Sequence, residues 1–102
     1  NPDAIVLVAG SDPYALLLGI AMPLWFAPRT MVASELAWWV DPDKRGGSAG
    51  IRLLRAFENW AEARGIEHIA MSAIESDLVA SAGPLIERRG YKVVERIYNR
   101  RN

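Results

Sequence analysis

With 102 residues, about half of them hydrophobic, the chain is long enough to bury the core of one domain. Basic and acidic side chains balance at 12 each, which argues against nucleic acid or a membrane surface as a dedicated partner. The lack of cysteine excludes disulfides and thiol nucleophiles, and the one histidine, His68, is too few for a histidine-based metal site. No secretory signal is visible, and the composition fits a cytoplasmic enzyme as it fits many other kinds of protein.

The first forty residues predict three strands joined by short turns. Residues 4–9 form a short β-rich run that ends in a turn-forming cluster. A second strand is predicted over residues 16–22, where Pro23 marks its end, a sheet edge or a bulge. After a loop at residues 27–30, residues 31–40 are apolar on both faces, which is typical of a central strand. This order indicates an antiparallel meander.

The periodicity changes from strand to helix at Ser48. Residues 48–64 place their apolar side chains on one helical face, and Gly65 is a suitable residue to end the helix. That face consists of Leu53, Leu54, Phe57, Trp60 and Ala61. A strand over residues 68–74 follows, and a strand–helix–strand order predicts that it lies parallel to the third strand.

The remaining residues predict one more helix and one more strand. The helix lies within residues 78–89, starts late because of Gly83-Pro84 and ends at Gly90, and residues 91–98 form the last strand. The complete order is β-β-β-α-β-α-β, an α/β (α+β) fold with a mixed, mostly antiparallel sheet. We expect a single domain over residues 1–102.

The segment from Val40 to Gly50 carries the clearest functional signal. A strand leads into a glycine-rich turn, and a helix begins directly after it, so free backbone N–H groups and the helix dipole favour an anion there. Arg45 adds a full positive charge, which points to phosphate or pyrophosphate. The segment lacks the Gly-Lys-Ser/Thr of a Walker loop and the glycine spacing of a dinucleotide fingerprint. A helix cap after a turn, with no ligand, remains the alternative.

The same residues resemble the acyl-CoA loop of the GNAT superfamily of N-acetyltransferases. The family pattern is Gln/Arg-x-x-Gly-x-Gly/Ala after Val-x-Pro, and Arg45, Gly50 and Val40-x-Pro42 match it. Ser48 stands where the family usually has glycine. Serine is strained there if φ is positive, but it is a good N-cap if the helix starts there. Residues 85–93 also resemble the family's Phe/Leu-Tyr-x-x-x-Gly-Phe/Tyr segment.

The resemblance implies a fold, a cosubstrate and its binding residues. It implies the GNAT fold, acetyl-CoA as cosubstrate and no metal. The residues expected to bind acetyl-CoA are Trp39, Val40, Arg45, Gly46, Gly47, Ser48, Ala49 and Gly50. The loop residues would hold the pyrophosphate, and the backbone near Trp39 and Val40 would pair with the pantetheine arm like an added strand.

Glu35 is the candidate general base, since it is the only charged residue between Thr30 and Asp41. Strand alternation would place it on one face with Ala33, Ala37 and Trp39, and a carboxylate among apolar groups has a raised pKa, which suits proton abstraction from an ammonium group. The resemblance implies the same role. The alternatives are a solvent-facing side chain or a structural hydrogen bond.

Trp38 and Trp39 are predicted to point to opposite faces of the strand, one of them into the core. The sequence leaves open which one that is, and the other would line the acyl or acceptor pocket.

Relatives commonly have a tyrosine as general acid where this chain has Ile86. Tyr91 and Tyr98 are the nearest phenols, but neither stands at the motif position. Either water or another tyrosine would then be the general acid, or the protein is weakly active. The resemblance implies an N-acetyltransferase that acts on a primary amine of a small molecule, protein or peptide. A module that binds acyl-CoA with weak or no catalysis is the alternative, and an unrelated nucleotide-binding domain is a third interpretation.

The chain starts with Asn1 rather than Met, and its family pattern begins part-way. We therefore expect the N-terminal strand and helices of the domain to be missing. The open edge of strand 4–9 would be covered either by such a segment or by a second copy of the chain in a homodimer.

Overall fold

A computed structural model describes residues 3–24, 26–73, 82–95 and 97–102. These residues form two compact units, residues 1–71 and residues 72–102. The first unit contains β1 (Ala4–Ala9), β2 (Ala15–Leu24), β3 (Ala27–Val40), a 3-10 turn (Pro42–Lys44), α1 (Ala49–Ala63) and β4 (His68–Ala70). The second contains α2 (Gly83–Arg88). A single domain over the whole chain stays a prediction.

The sheet of the first unit has the order β1-β2-β3-β4. The first three strands are antiparallel, as the meander predicted, and β4 runs parallel to β3 through three residue pairs, from Val32↔His68 to Ser34↔Ala70. The central position of the third strand and the parallel crossover are therefore confirmed. β1 is an edge strand, and its outer side has no strand partner among the described residues.

The loop predicted at residues 27–30 is wrong, because β3 already begins at Ala27. Leu24 pairs with Ala27, and the β2–β3 register shifts between Pro23 and Leu24. Pro28 suggests a loop in the sequence, yet it is accommodated where the ladder is irregular and needs no backbone N–H. The same register shift confirms the bulge that Pro23 indicated.

Helix α1 covers the sheet with the predicted apolar face. Leu54, Phe57 and Ala61 are fully buried, and Phe57 packs in one cluster with Leu17 and Ala33 of the sheet. The end of the helix is built from Gly65, whose φ of 71° lies in the left-handed region. The N–H of Gly65 donates to Glu62 at 2.9 Å, and that of Ile66 to Ala61 at 3.0 Å, which together form a Schellman motif.

The second unit confirms the late helix start but not the last strand. α2 begins at Gly83 with Pro84 in its first turn, and Gly90 follows its end with a φ of 93°. Residues 78–81 of the predicted helix lie outside the described residues. Residues 91–95 and 97–98 are not a strand, and the Val94 side chain is 92% exposed.

That strand prediction is wrong because β-propensity reflects packing on a paired surface, and no described residue pairs with this segment. The strand predicted at 68–74 is also shorter than expected: it ends at Ala70, and residue 74 lies outside the described residues.

Candidate functional site

A β-bulge in β3 determines how the candidate residues face. Leu18 of β2 lies opposite Ala37, and its neighbour Gly19 lies opposite Glu35, so Leu36 has no counterpart. The Leu36 side chain is 63% exposed. Such an extra residue bends the strand and interrupts the alternation of its side chains. On one face of the sheet, β3 therefore presents odd-numbered residues before the bulge and even-numbered residues after it.

Glu35 lies on the face that α1 covers. Its partner Gly19 faces Phe57, because a Cβ atom added at Gly19 would collide with the Phe57 ring, and directly paired residues share a face. Ala33 is on this face too, as predicted, but beyond the bulge Trp38 and Val40 occupy it. The prediction that Glu35 shares its face with Ala37 and Trp39 is wrong for this reason. The Glu35 side chain is half-buried.

The two neighbouring tryptophans have separate environments. Trp38 packs against the core, and its indole Nε1 donates to the carbonyl oxygen of Gly50 at 3.2 Å, which ties β3 to the first turn of α1. Trp39 lies on the opposite face, is 49% exposed and donates from Nε1 to Asp41 Oδ1 at 3.3 Å. The structure thus identifies Trp38 as the core residue, a choice that the sequence left open.

Beyond Ser34, one edge of β3 has no strand partner among the described residues. The N–H of Asp41 donates to Tyr14 of the neighbouring hairpin at 2.8 Å, which fixes the alternation of the antiparallel ladder. Because alternate residues of β3 bond to β2, the N–H and C=O groups of Trp39 face β2, as the N–H of Asp41 does. The N–H and C=O groups of Trp38 and Val40 point away from β2. The Val40 carbonyl accordingly accepts a bond from the side chain of Arg45.

The turn from β3 to α1 leaves a row of backbone donors. Among the residues described by the structure, the N–H groups of residues 46–51 have no backbone acceptor. Gly46 has a φ of 92°, a conformation that other residues seldom adopt, and an added Cβ atom there would meet no atom within 4 Å. These donors lie at the N-terminus of a 15-residue helix, where the dipole is positive.

Ser48 occupies the N-cap position of α1 with a φ of −96°, so it carries none of the strain that a positive φ would cause. Its carbonyl accepts the first helical bond from Arg52 at 3.0 Å, but its hydroxyl caps no N–H group. The departure from the family's glycine therefore costs no backbone strain.

Arg45 is held between the strand and an aromatic ring. Its Nε donates to the carbonyl oxygen of Val40 at 2.8 Å, and its guanidinium carbon lies 4.3 Å from the centre of the Trp39 ring. Nearby, the ammonium group of Lys44 lies 5.7 Å from the ring centre of Tyr14. Two cationic residues thus directly precede the row of backbone donors in the chain.

The matching family model is that of the acetyltransferase (GNAT) family, and it covers residues 8–91. This chain belongs to the GNAT family. No curated protein sequence matches the chain significantly.

Solved structures with the GNAT fold align with nearly the whole chain. An acetyltransferase of Pyrococcus furiosus is 25% identical, with a TM-score of 0.78, over 97% of this chain and 64% of its own length. The aminoglycoside 6′-N-acetyltransferase of Acinetobacter haemolyticus is 19% identical, with a TM-score of 0.74, over 100% and 72%. A Clostridium acetobutylicum acetyltransferase solved with acetyl-CoA is 15% identical, with a TM-score of 0.72, over 97% and 64%.

The chain thus spans less than two thirds of the length of the Pyrococcus and Clostridium proteins.

Ile86, which stands where the resemblance predicts a general acid, has no proton to give. Ile86 is buried in α2. Of the two phenols named from the sequence, Tyr98 is 85% exposed and Tyr91 follows Gly90.

In the described parts of the chain, no cluster of three or more carboxylate or imidazole side chains is suited to a metal ion. No helix in those parts has the length and hydropathy to cross a membrane.

Proposed function

We propose that this GNAT chain binds acetyl-CoA and transfers the acetyl group to a primary amine by direct attack. The observation that carries the proposal is the continuity of two features. The edge of β3 beyond Ser34, which has no strand partner among the described residues, is followed after the 3-10 turn by the row of free N–H groups at residues 46–51. A linear ligand with an amide-containing arm and a diphosphate has matching groups in that order.

The diphosphate would be bound by the loop, from Arg45 through Gly46, Gly47, Ser48 and Ala49 to Gly50. A guanidinium group has five N–H donors. Val40 accepts from the Nε donor of Arg45 only, so the terminal nitrogens of Arg45 remain for a phosphate. The pantetheine arm would add to the open edge at Trp38 and at the N–H of Val40, since the Val40 carbonyl already accepts a bond from Arg45. The predicted contribution of Trp39 then comes from its ring rather than its backbone.

In the transfer step, the amine nitrogen attacks the thioester carbonyl carbon and the thiolate of CoA leaves. The ammonium proton goes first to Glu35, directly or through water, since only the neutral amine is nucleophilic. A backbone N–H of the open edge near Val40 would stabilise the developing oxyanion. Because Ile86 cannot protonate the thiolate, we assign this role to water, which carries the second proton from the attacking nitrogen to the thiolate sulfur. Neither a metal nor a cysteine enters these steps.

The acceptor is an amine of a small molecule or of a protein or peptide. Aminoglycoside acetylation is the activity of the Acinetobacter relative, and ribosomal-protein-alanine acetylation that of a Brucella melitensis relative with 17% identity. Both support an amine without choosing between the two classes. We propose a cytoplasmic location and no nucleic-acid or membrane partner, from the balanced charge.

A thermal-shift panel of CoA, ATP and NAD tests the binding step. At 100 times its Kd, a ligand stabilises the folded state by about 2.7 kcal/mol, so CoA should raise the Tm clearly and the other two should not. Stabilisation by ATP or NAD alone would instead support an unrelated nucleotide-binding domain.

Turnover is then measured by the release of the CoA thiol with a chromogenic disulfide reagent. The chain has no cysteine, so the protein itself gives no background in this assay. A panel of amines, from aminoglycosides to peptides, identifies the acceptor class.

The second candidate function is a module that binds acyl-CoA without efficient catalysis. The specific observation in its favour is Ile86 at the position of the usual tyrosine. Tight CoA binding together with no thiol release for any amine would support this alternative.

A further inference from the structure

The contacts of Trp39 point toward Arg45 rather than toward a ligand. An indole that is 49% exposed is held in place by a hydrogen bond to Asp41 at 3.3 Å. The guanidinium carbon of Arg45 lies 4.3 Å above its ring centre, well within the 6 Å range of a cation–π contact. Asp41 therefore fixes the ring, and the ring in turn fixes the plane of the guanidinium.

Arg45 is restrained at a second point by the 2.8 Å bond from its Nε to Val40. A free arginine side chain samples many rotamers and loses this freedom when it binds a ligand. Here the stack and the hydrogen bond restrict it beforehand and leave the four terminal N–H groups unused by these two contacts. Restraint of this kind improves binding without adding any contact to the ligand.

We propose that Trp39 is a positioning residue that presents Arg45 to a phosphate group of acyl-CoA. Trp39 acts through Arg45 and does not itself bind the cosubstrate, which refines its predicted role as a cofactor-binding residue. This inference rests on the proposed function, since the phosphate is that of acyl-CoA. It assigns Trp39 and Asp41 an effect on affinity and KM, and none on kcat.

A double-mutant cycle on CoA affinity tests the inference. The Trp39→Leu variant should bind CoA about two- to fivefold more weakly, which is the size of an exposed cation–π contact. Trp39→Phe keeps a ring under the guanidinium and should recover most of the affinity. In an Arg45→Ala background, Trp39→Leu should have no further effect, because the group it positions is gone.

Arg64→Ala is the matched control. Arg64 is an arginine that also lies over a tryptophan ring, 5.2 Å from the centre of Trp60, at the opposite end of α1. The affinity for CoA should be unchanged in this variant. A thermal melt of each variant shows that it is folded, and wild-type kcat with a raised KM is expected for Trp39→Leu.

Two results would overturn the inference while leaving the proposed function intact. An equal loss from Trp39→Leu with and without Arg45 would mean that the ring contacts CoA directly. An unchanged affinity in Trp39→Leu would mean that the stack positions nothing. If the wild-type chain fails to bind CoA, the proposed function fails and this inference fails with it.

Discussion

Valine substitutions at Gly46 and Gly65 separate the effect of backbone strain on stability from the loss of CoA affinity. Both glycines have a positive φ, 92° and 71°, and at neither would an added Cβ atom meet another atom within 4 Å. A non-glycine residue in this conformation costs roughly 1–2 kcal/mol. For a chain of this size we therefore expect both variants to lose about 4–16 °C in Tm.

The CoA affinity of the two variants should differ. Gly46 lies in the row of free N–H donors, whereas Gly65 ends α1 at the other end of the helix, about 22 Å away along its axis. A valine at position 46 that displaces one charge-assisted hydrogen bond costs about 1.5–3 kcal/mol, or roughly 10- to 100-fold in Kd. Gly47→Val should weaken binding without the strain, since its φ is not positive.

Calorimetric titration of CoA into folded protein, well below each Tm, measures this difference. If Gly46→Val and Gly65→Val both bind CoA as tightly as the wild type does, the phosphates lie elsewhere and the proposed loop is wrong. An equal loss in both variants would point to general destabilisation rather than to a site.

Three further predictions address catalysis, packing and assembly. Glu35→Gln should lower the rate of acetyl transfer at neutral pH by about 100-fold or more, with CoA affinity nearly unchanged. The control variant Glu62→Gln, on the exposed side of α1, should keep the wild-type rate. An unchanged rate and pH profile in Glu35→Gln would exclude the general-base role. Gly19→Ala should destabilise the fold by about 1–3 kcal/mol in urea unfolding, because its methyl group meets the Phe57 ring, and equal stability would show that the ring has room to move. If a homodimer forms through β1, Val6→Lys should leave a monomer in light scattering, whereas a monomeric wild type would refute the dimer.

The elements that sequence analysis predicted well are those specified locally. The apolar period of α1 and the glycine after it required no knowledge of the rest of the chain, and the structure confirms both with a buried face and a Schellman motif. The three-strand meander followed in the same way from short apolar runs and turn residues. The glycine-rich turn before α1 was recognisable because glycines and a basic residue stand at fixed spacing before a helix, and its role in binding acyl-CoA stays a prediction.

The features that were missed depend on pairing between distant segments. The bulge at Leu36 is a property of the β2–β3 register, and no residue near it signals an extra position. Because the prediction assumed a regular strand without this bulge, it gave Glu35 the wrong neighbours. It also left open which of the two tryptophans faces the core. The last predicted strand failed for a related reason, since alternating valines indicate a strand only where an edge is available to pair with it.

The bulge also changes how this strand would respond to the loss of a residue. Deleting one residue from a regular strand turns every later side chain to the other face. Leu36 has no partner, so its deletion would leave Glu35 opposite Gly19 and Ala37 opposite Leu18. The core would keep all its pairs, and only the bend in β3 would be lost. A chain that lacks residue 36 could therefore still fold. The open edge beside Trp38 and Val40 would change direction, so a single deletion could alter ligand binding without preventing folding.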